Sequence, residues 1–200
     1  MKVKLLVVSI MTVAATGVFA QANNFEGFTA GINVSSVGAT TTLKDEGSAD
    51  IGQQSVVPGI ELGYNFAASK EIVLGLTATY DFANTKLGQI GDQDGNANLK
   101  GQNRMSINFK PGYVITPSTM IYATVGYNSM SGKLTENPPG STITQTFTGI
   151  GYGLGIAVMA TKNVFVKAEV QQINFGSQNL DGTSLQPNLT LGTIGIGYKF

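Results

Sequence analysis

The sequence predicts an all-β fold, an eight-stranded antiparallel up-and-down transmembrane β-barrel, and three observations predict it. Large apolar residues alternate with Gly, Thr, Ser and Asn in segment after segment, the period-two signature of strands. The segments run to roughly ten to fourteen residues, longer than most soluble strands and long enough for a tilted strand to cross a bilayer. Their number is even, and the connectors between them are alternately short and long, as in a meander with two unlike ends.

The first twenty residues stand apart from this pattern. Lys2 and Lys4 precede an apolar run from Leu5 to about Val13, and small residues then lead to Val18-Phe19-Ala20 before Gln21. A basic start, a short apolar centre and a small-x-Ala end describe a secretory signal peptide at 1–20, cleaved after Ala20. The run is too short for a transmembrane helix. Loss of the two lysines leaves two more acidic than basic residues in 21–200, a net charge of about −2. That balance argues against a nucleic-acid partner. The chain has no Cys, so no disulfide supports the exported domain and its stability must come from the strand ladder and packing. Its 26 Gly come with 42 % hydrophobic residues, a pairing that a disordered Gly-rich chain does not show.

The eight strands are expected near 25–36, 54–66, 71–83, 103–115, 120–130, 146–159, 164–175 and 188–200. The first begins with "FEGFTAGINV". In the second, "PGIELGYNF", Pro58, Ile60, Leu62, Tyr64 and Phe66 share one face, and Gly59, Glu61, Gly63 and Asn65 the other. The third sets Ile72, Leu74, Leu76, Ala78, Tyr80 and Phe82 against Val73, Gly75, Thr77, Thr79 and Asp81. The fourth sets Met105, Ile107, Phe109, Pro111, Tyr113 and Ile115 against Arg104, Ser106, Asn108, Lys110, Gly112 and Val114. "IYATVGYN" carries the fifth, and "IGYGLGIAV" in the sixth opposes Ile150, Tyr152, Leu154, Ile156 and Val158 to glycines and Ala157. In the seventh Gln172 falls on the apolar face, and in the eighth Leu189 and Leu191 fall on the polar one. The short connectors are 67–70, 116–119 and 160–163; polar loops are expected near 37–53, 84–102, 131–145 and 176–187.

The orientation of the faces decides between lipid and water. A soluble barrel or sandwich would turn its apolar face inward. Here the second face is dense in glycine, which weakens a water-facing strand but suits a crowded lumen. Aromatic residues of the apolar face gather near the strand ends. Tyr64, Phe66, Tyr113, Tyr198 and Phe200 lie toward the short turns, and a second girdle of Tyr80, Phe82 and Tyr127 lies toward the long loops. Two girdles mark a membrane barrel, so the expected surroundings are outer-membrane lipid, and a soluble secreted β-barrel or sandwich is the lesser reading.

"FEGFTAGINV", "PGIELGYNF" with "EIVLGLTATYDF", "IYATVGYN", "TGIGYGLGIAV" with "NVFVKAEV", and the terminal "GIGYKF" together give residues 21–200 the pattern of a known group. The chain resembles the small outer-membrane β-barrels of Gram-negative bacteria, the opacity-protein and outer-membrane-protein-A-like barrel group. The resemblance implies four surface loops, both termini in the periplasm and residence in the cell outer membrane. It also implies that the final strand, with Ile196, Tyr198 and Phe200 at alternate positions, carries the signal read by the barrel-assembly machinery.

Charges on the polar face must pair inside the barrel. Glu61, Asp81 and Glu169 against Arg104, Lys110 and Lys167 form the expected lumen network, read as a structural plug more readily than as a gate, because eight strands enclose little more than their own side chains. Enzymes on barrels of this kind commonly use histidine; the chain has neither His nor Cys, and Ser106 has no His to activate it. No catalytic residue, metal site or cofactor is expected. Asp92 and Asp94 in "GDQDGNAN" supply oxygen ligands around a turn, but a solvated turn is the simpler reading. The function expected is a structural or surface-interaction role in the outer membrane, including envelope integrity or adhesion through "NPPGSTITQTF" and "SQNLDGTSLQPN", with the extracellular ligand unknown. The alternative is a narrow porin-like channel for ions or small solutes.

Overall fold

The computed structural model describes residues 22–44, 49–92, 95–137, 142–180 and 183–200; the expected signal peptide at 1–20 lies outside them. After a single 3-10 turn at Ala22–Asn24 come ten strands: β1 (Gly27–Lys44), β2 (Ala49–Ala67), β3 (Ile72–Asp81), β4 (Thr85–Asp92), β5 (Gly95–Thr116), β6 (Thr119–Asn137), β7 (Thr142–Met159), β8 (Val164–Phe175), β9 (Gln178–Leu180) and β10 (Thr183–Lys199). The ladder runs β1-β2-β3-β5-β6-β7-β8-β10 and closes because β10 pairs antiparallel with β1, from Thr29 opposite Lys199 to Lys44 opposite Ser184. β4 prolongs β3 after a break at Phe82–Asn84 and pairs with β5, and β9 prolongs β8 and pairs with β10. The result is the predicted closed eight-stave antiparallel barrel.

The staves are longer than expected at the long-loop end. Much of 37–53, 84–102, 131–145 and 176–187 is strand rather than loop: β5 covers 22 residues and β2 and β6 cover 19 each. The cause is the origin of the alternation. Within the bilayer, lipid enforces apolar residues on the outer face; beyond it the outer face meets water and turns polar, as at Ser36, Thr40 and Lys100. The backbone ladder continues regardless, since antiparallel hydrogen bonding does not depend on which side chains face out.

One irregularity positions side chains. On β5 the register against β6 slips between Gln102 and Met105, and Asn103 there has φ 52, a left-handed conformation that Asn tolerates better than most residues. This β-bulge reverses the parity of the strand: Gly101 points inward above it, while Arg104 and Ser106 point inward below it. The hydroxyl of Tyr80 donates to Asn103 Oδ1 at 3.1 Å and ties the bulge to β3.

The interior holds two apolar clusters with polar residues between them. At the long-hairpin end Val37, Ala39, Val57, Leu87, Met130, Phe147, Ile173, Phe175, Leu189 and Leu191 pack together, all buried. The inward parity of Leu189 and Leu191, odd against a polar lumen, is thereby explained. At the short-turn end Ala22 and Phe25 fold into the mouth against Val73, Val114, Met120, Tyr122 and Ala157. Hydrogen bonds from Ala22 N to Lys70 O (2.9 Å), from Asn24 Nδ2 to Pro117 O (2.8 Å) and from Asn65 Nδ2 to Phe25 O (3.1 Å) hold that segment in place.

Candidate functional site

The outer face is apolar from strand to strand. Phe28, Ile32, Leu62, Leu76, Ile107, Val125, Leu154, Val170 and Ile194 all project from the barrel with between 47 and 70 % of their surface exposed. Water would penalise such a belt heavily, whereas hydrocarbon accepts it, and the closed ladder leaves no strand edge unsatisfied there. Gln172 also faces out, and its Oε1 accepts a 2.6 Å hydrogen bond from Thr190 Oγ1, which lowers the cost of its polarity.

Both expected aromatic groups lie on this face. Near the short turns Tyr198 and Phe200 meet edge to face at 5.0 Å between centroids, and Phe28, absent from the sequence expectation, meets Tyr64 at 4.8 Å. Ile196 projects from the same stave. Near the hairpins Tyr80 and Phe82 meet at 5.4 Å, and Tyr127 is exposed two staves away.

Inside, the six expected charges divide into two groups rather than one network. Lys110 of β5 lies 2.8 Å from Glu61 of β2 and 3.2 Å from Glu169 of β8, and Lys167 of β8 lies 2.6 Å from the other oxygen of Glu61. Tyr122 of β6 donates its hydroxyl to Glu169 at 2.9 Å, and Lys110 Nζ sits 5.4 Å from the centre of the Tyr122 ring. These contacts span the lumen between staves that are not neighbours, so they act as struts. The second group is circumferential: Arg104 Nε lies 2.6 Å from Asp81 Oδ2 and Arg104 Nη1 donates to Asn128 Oδ1 at 3.1 Å, across β3, β5 and β6. Each group contains equal numbers of positive and negative charges, the condition under which burial is tolerable.

Glycine makes the room for this filling. The Tyr122 ring lies against Gly155 on β7, and the Phe147 ring lies against Gly132 on β6; a Cβ at either glycine would stand inside the ring's van der Waals surface. Between the struts and the lower apolar cluster remains a cavity of about 40 Å³, lined among others by Phe25, Glu61, Lys110, Tyr122 and Lys167. It has room for a few waters at most and is too small for a solute. Sequence parity put the charges on the inner face, and with them Val73, Val114, Ala157, Leu189 and Leu191, but did not show that these join other residues in two apolar clusters that close the ends. Each strand contributes at most two residues to either cluster, too few to leave a pattern. The side chains of Asp92 and Asp94 lie outside the described residues.

A closed eight-stave barrel with an apolar outer belt, two aromatic girdles and a charge-paired interior defines an integral outer-membrane β-barrel protein. Residues 5–200 match the family model described as outer membrane protein beta-barrel domain, and the chain belongs to that family. It is similar to a 31 kDa outer-membrane immunogenic protein of Brucella melitensis, 26 % identical over 170 residues that cover 77 % of this chain and 70 % of that one. Among solved structures it is similar to Neisserial surface protein A (TM-score 0.59, 16 % identity, 87 % of this chain and 97 % of that one). It is also similar to the outer membrane protein OprG of Pseudomonas aeruginosa (TM-score 0.55, 16 % identity, 92 % and 99 % covered). The attachment invasion locus protein of Yersinia pestis, crystallised with a heparin analogue, shares the fold as well (TM-score 0.52, 16 % identity, 88 % and 99 % covered). The protein is thus placed in the outer membrane.

Proposed function

We propose that this barrel is a closed, non-enzymatic outer-membrane protein that acts through its outer surface and hairpins, in adhesion or envelope integrity, rather than through a pore. The observation that carries the reading is the filled lumen. The Phe147–Leu189 cluster lies above the charged struts and the Phe25–Met120 cluster below them. An ion crossing this interior would have to displace both apolar clusters and shed its water beside pairs whose charges already balance. The strands that run past the outer girdle, β1 with β2 and β5 with β6, present the surface where an extracellular ligand would meet the cell. Phe200, projecting beside Tyr198 on the last stave, is the residue we assign to recognition by the barrel-assembly machinery. The test is single-channel recording of the refolded protein in planar bilayers. Absence of steady conductance steps is expected; stable open steps that Phe147→Ala enlarges would overturn the closed reading in favour of the narrow channel.

A further inference from the structure

The small cavity at the short-turn end holds more hydrogen-bond donors than its ion pairs use. Lys110, Lys167, Lys199, Glu61 and Thr77 are among the residues that line its 40 Å³. Both oxygens of Glu61 are engaged, one by Lys110 at 2.8 Å and the other by Lys167 at 2.6 Å. An ammonium group carries three N–H donors. Lys110 meets two carboxylates, Glu61 and Glu169, and Lys167 meets only Glu61, which leaves N–H groups over on both. Lys199, on the inward parity of β10, has no acid partner among the described residues. The Thr77 hydroxyl has no hydrogen-bond partner, although the residue is only 5 % exposed, and its methyl rather than its hydroxyl packs toward Gly63 of β2. Since the struts balance their own charges, Lys199 leaves the walls with one positive charge in excess.

Buried donors without an acceptor are costly, and an unmatched buried charge more so. Water answers only the first need, because it brings no negative charge and adds donors of its own. A small anion answers both. Size then selects the anion: a halide takes little more room than one water, whose share of the liquid is about 30 Å³, whereas a sulfate or phosphate with its oxygens exceeds the cavity. We infer that the cavity binds a single halide ion of chloride size, held by Lys167, Lys199 and the Thr77 hydroxyl, with Lys110 beside it. Phe25, 3 % exposed, lines the same cavity, so the ion enters at the short-turn mouth and the N-terminal segment closes over it. The site is a dead end, since the Phe147–Leu189 cluster fills the far side of the lumen. Its consequence is cohesion: Thr77, Lys110, Lys167 and Lys199 stand on β3, β5, β8 and β10, and an ion shared among them stabilises the folded barrel by mass action.

The test is a urea series on the refolded full barrel in non-ionic detergent, read by unheated gel mobility, in sodium chloride, sodium bromide or sodium gluconate at one ionic strength. With halide at ten times its dissociation constant, the folded-to-unfolded ratio should rise on the order of tenfold over gluconate, an anion too large for the cavity. Thr77→Val keeps the side-chain shape and removes the hydroxyl. In gluconate it should be at least as stable as the wild type, because an unpaired buried hydroxyl is gone, and it should bind halide roughly tenfold more weakly. Lys199→Gln should weaken halide binding several-fold, whereas Lys162→Gln, in the exposed short turn between β7 and β8, should leave it unchanged. Crystals grown in bromide should place one anomalous scatterer between Lys167 and Thr77. Absence of a halide gain, or an equal gain in Thr77→Val and Lys199→Gln, which would mark a general salt effect, would overturn the proposal. Bromide found only at surface lysines would overturn it as well.

Discussion

Arg104 Nε lies 2.6 Å from Asp81 Oδ2, with only 6 and 1 % of the two residues exposed, immediately below the bulge that turns Arg104 inward. Asp81→Leu would leave the guanidinium buried with Asn128 alone, at a cost of about 3–5 kcal/mol, whereas Asp81→Leu with Arg104→Met should recover most of it. The chain has no Trp, so the folded fraction is best read by gel mobility across a urea series. A double variant no more stable than the single one would show that the pair does not carry the loss.

The fit of Tyr122 over Gly155 makes a paired prediction. Gly155→Ala should destabilise the barrel by about 1–3 kcal/mol, because the ring must leave its position and its hydrogen bond to Glu169. Tyr122→Leu should relieve that clash, so the two changes together should cost less than their sum when measured as a double-mutant cycle.

Lipid contact predicts a dependence on height. Leu62 projects between the two girdles, and Val56 projects beyond the outer one on the same strand; they are 59 and 71 % exposed. Leu62→Lys should cost about 2–4 kcal/mol in vesicles and Val56→Lys no more than about 1 kcal/mol. Equal costs at the two positions would contradict a bilayer between them.

Phe200 is 72 % exposed and its backbone N–H donates to Phe28 O at 2.9 Å. Phe200→Ala keeps that backbone bond, so the heat stability of barrels that have formed should change little. Appearance of the folded band in pulse-labelled cells should slow several-fold if the ring is read during assembly. An unchanged rate would remove the assembly role and leave only the girdle.

The sequence made the bilayer-level half of the molecule legible and concealed the rest. The inward parity of Glu61, Lys110, Lys167 and Glu169 could be read because lipid forces apolar residues such as Leu62 and Phe109 onto the alternate positions. Above the outer girdle that forcing ends, so the continuation of β5 up to Gly95 left no alternation to read. The parity change at Asn103 had only a "GQN" to announce it. Which carboxylate meets which ammonium was also beyond reach, since Lys110 reaches β2 and β8 across the lumen and only the closed register places them together.

The seam between β1 and β10 has a kinetic meaning. Its rungs join residues at opposite ends of the chain, Thr29 with Lys199 and Val34 with Ile194, so the loop that must close is almost the whole domain, and such non-local pairing is slow. Until the last stave arrives, a nascent sheet carries two open edges, each a template for another chain. A chain truncated within β10 should therefore be an aggregating sheet rather than a weakened barrel, and maturation hinges on a single late event instead of a gradual gain in order.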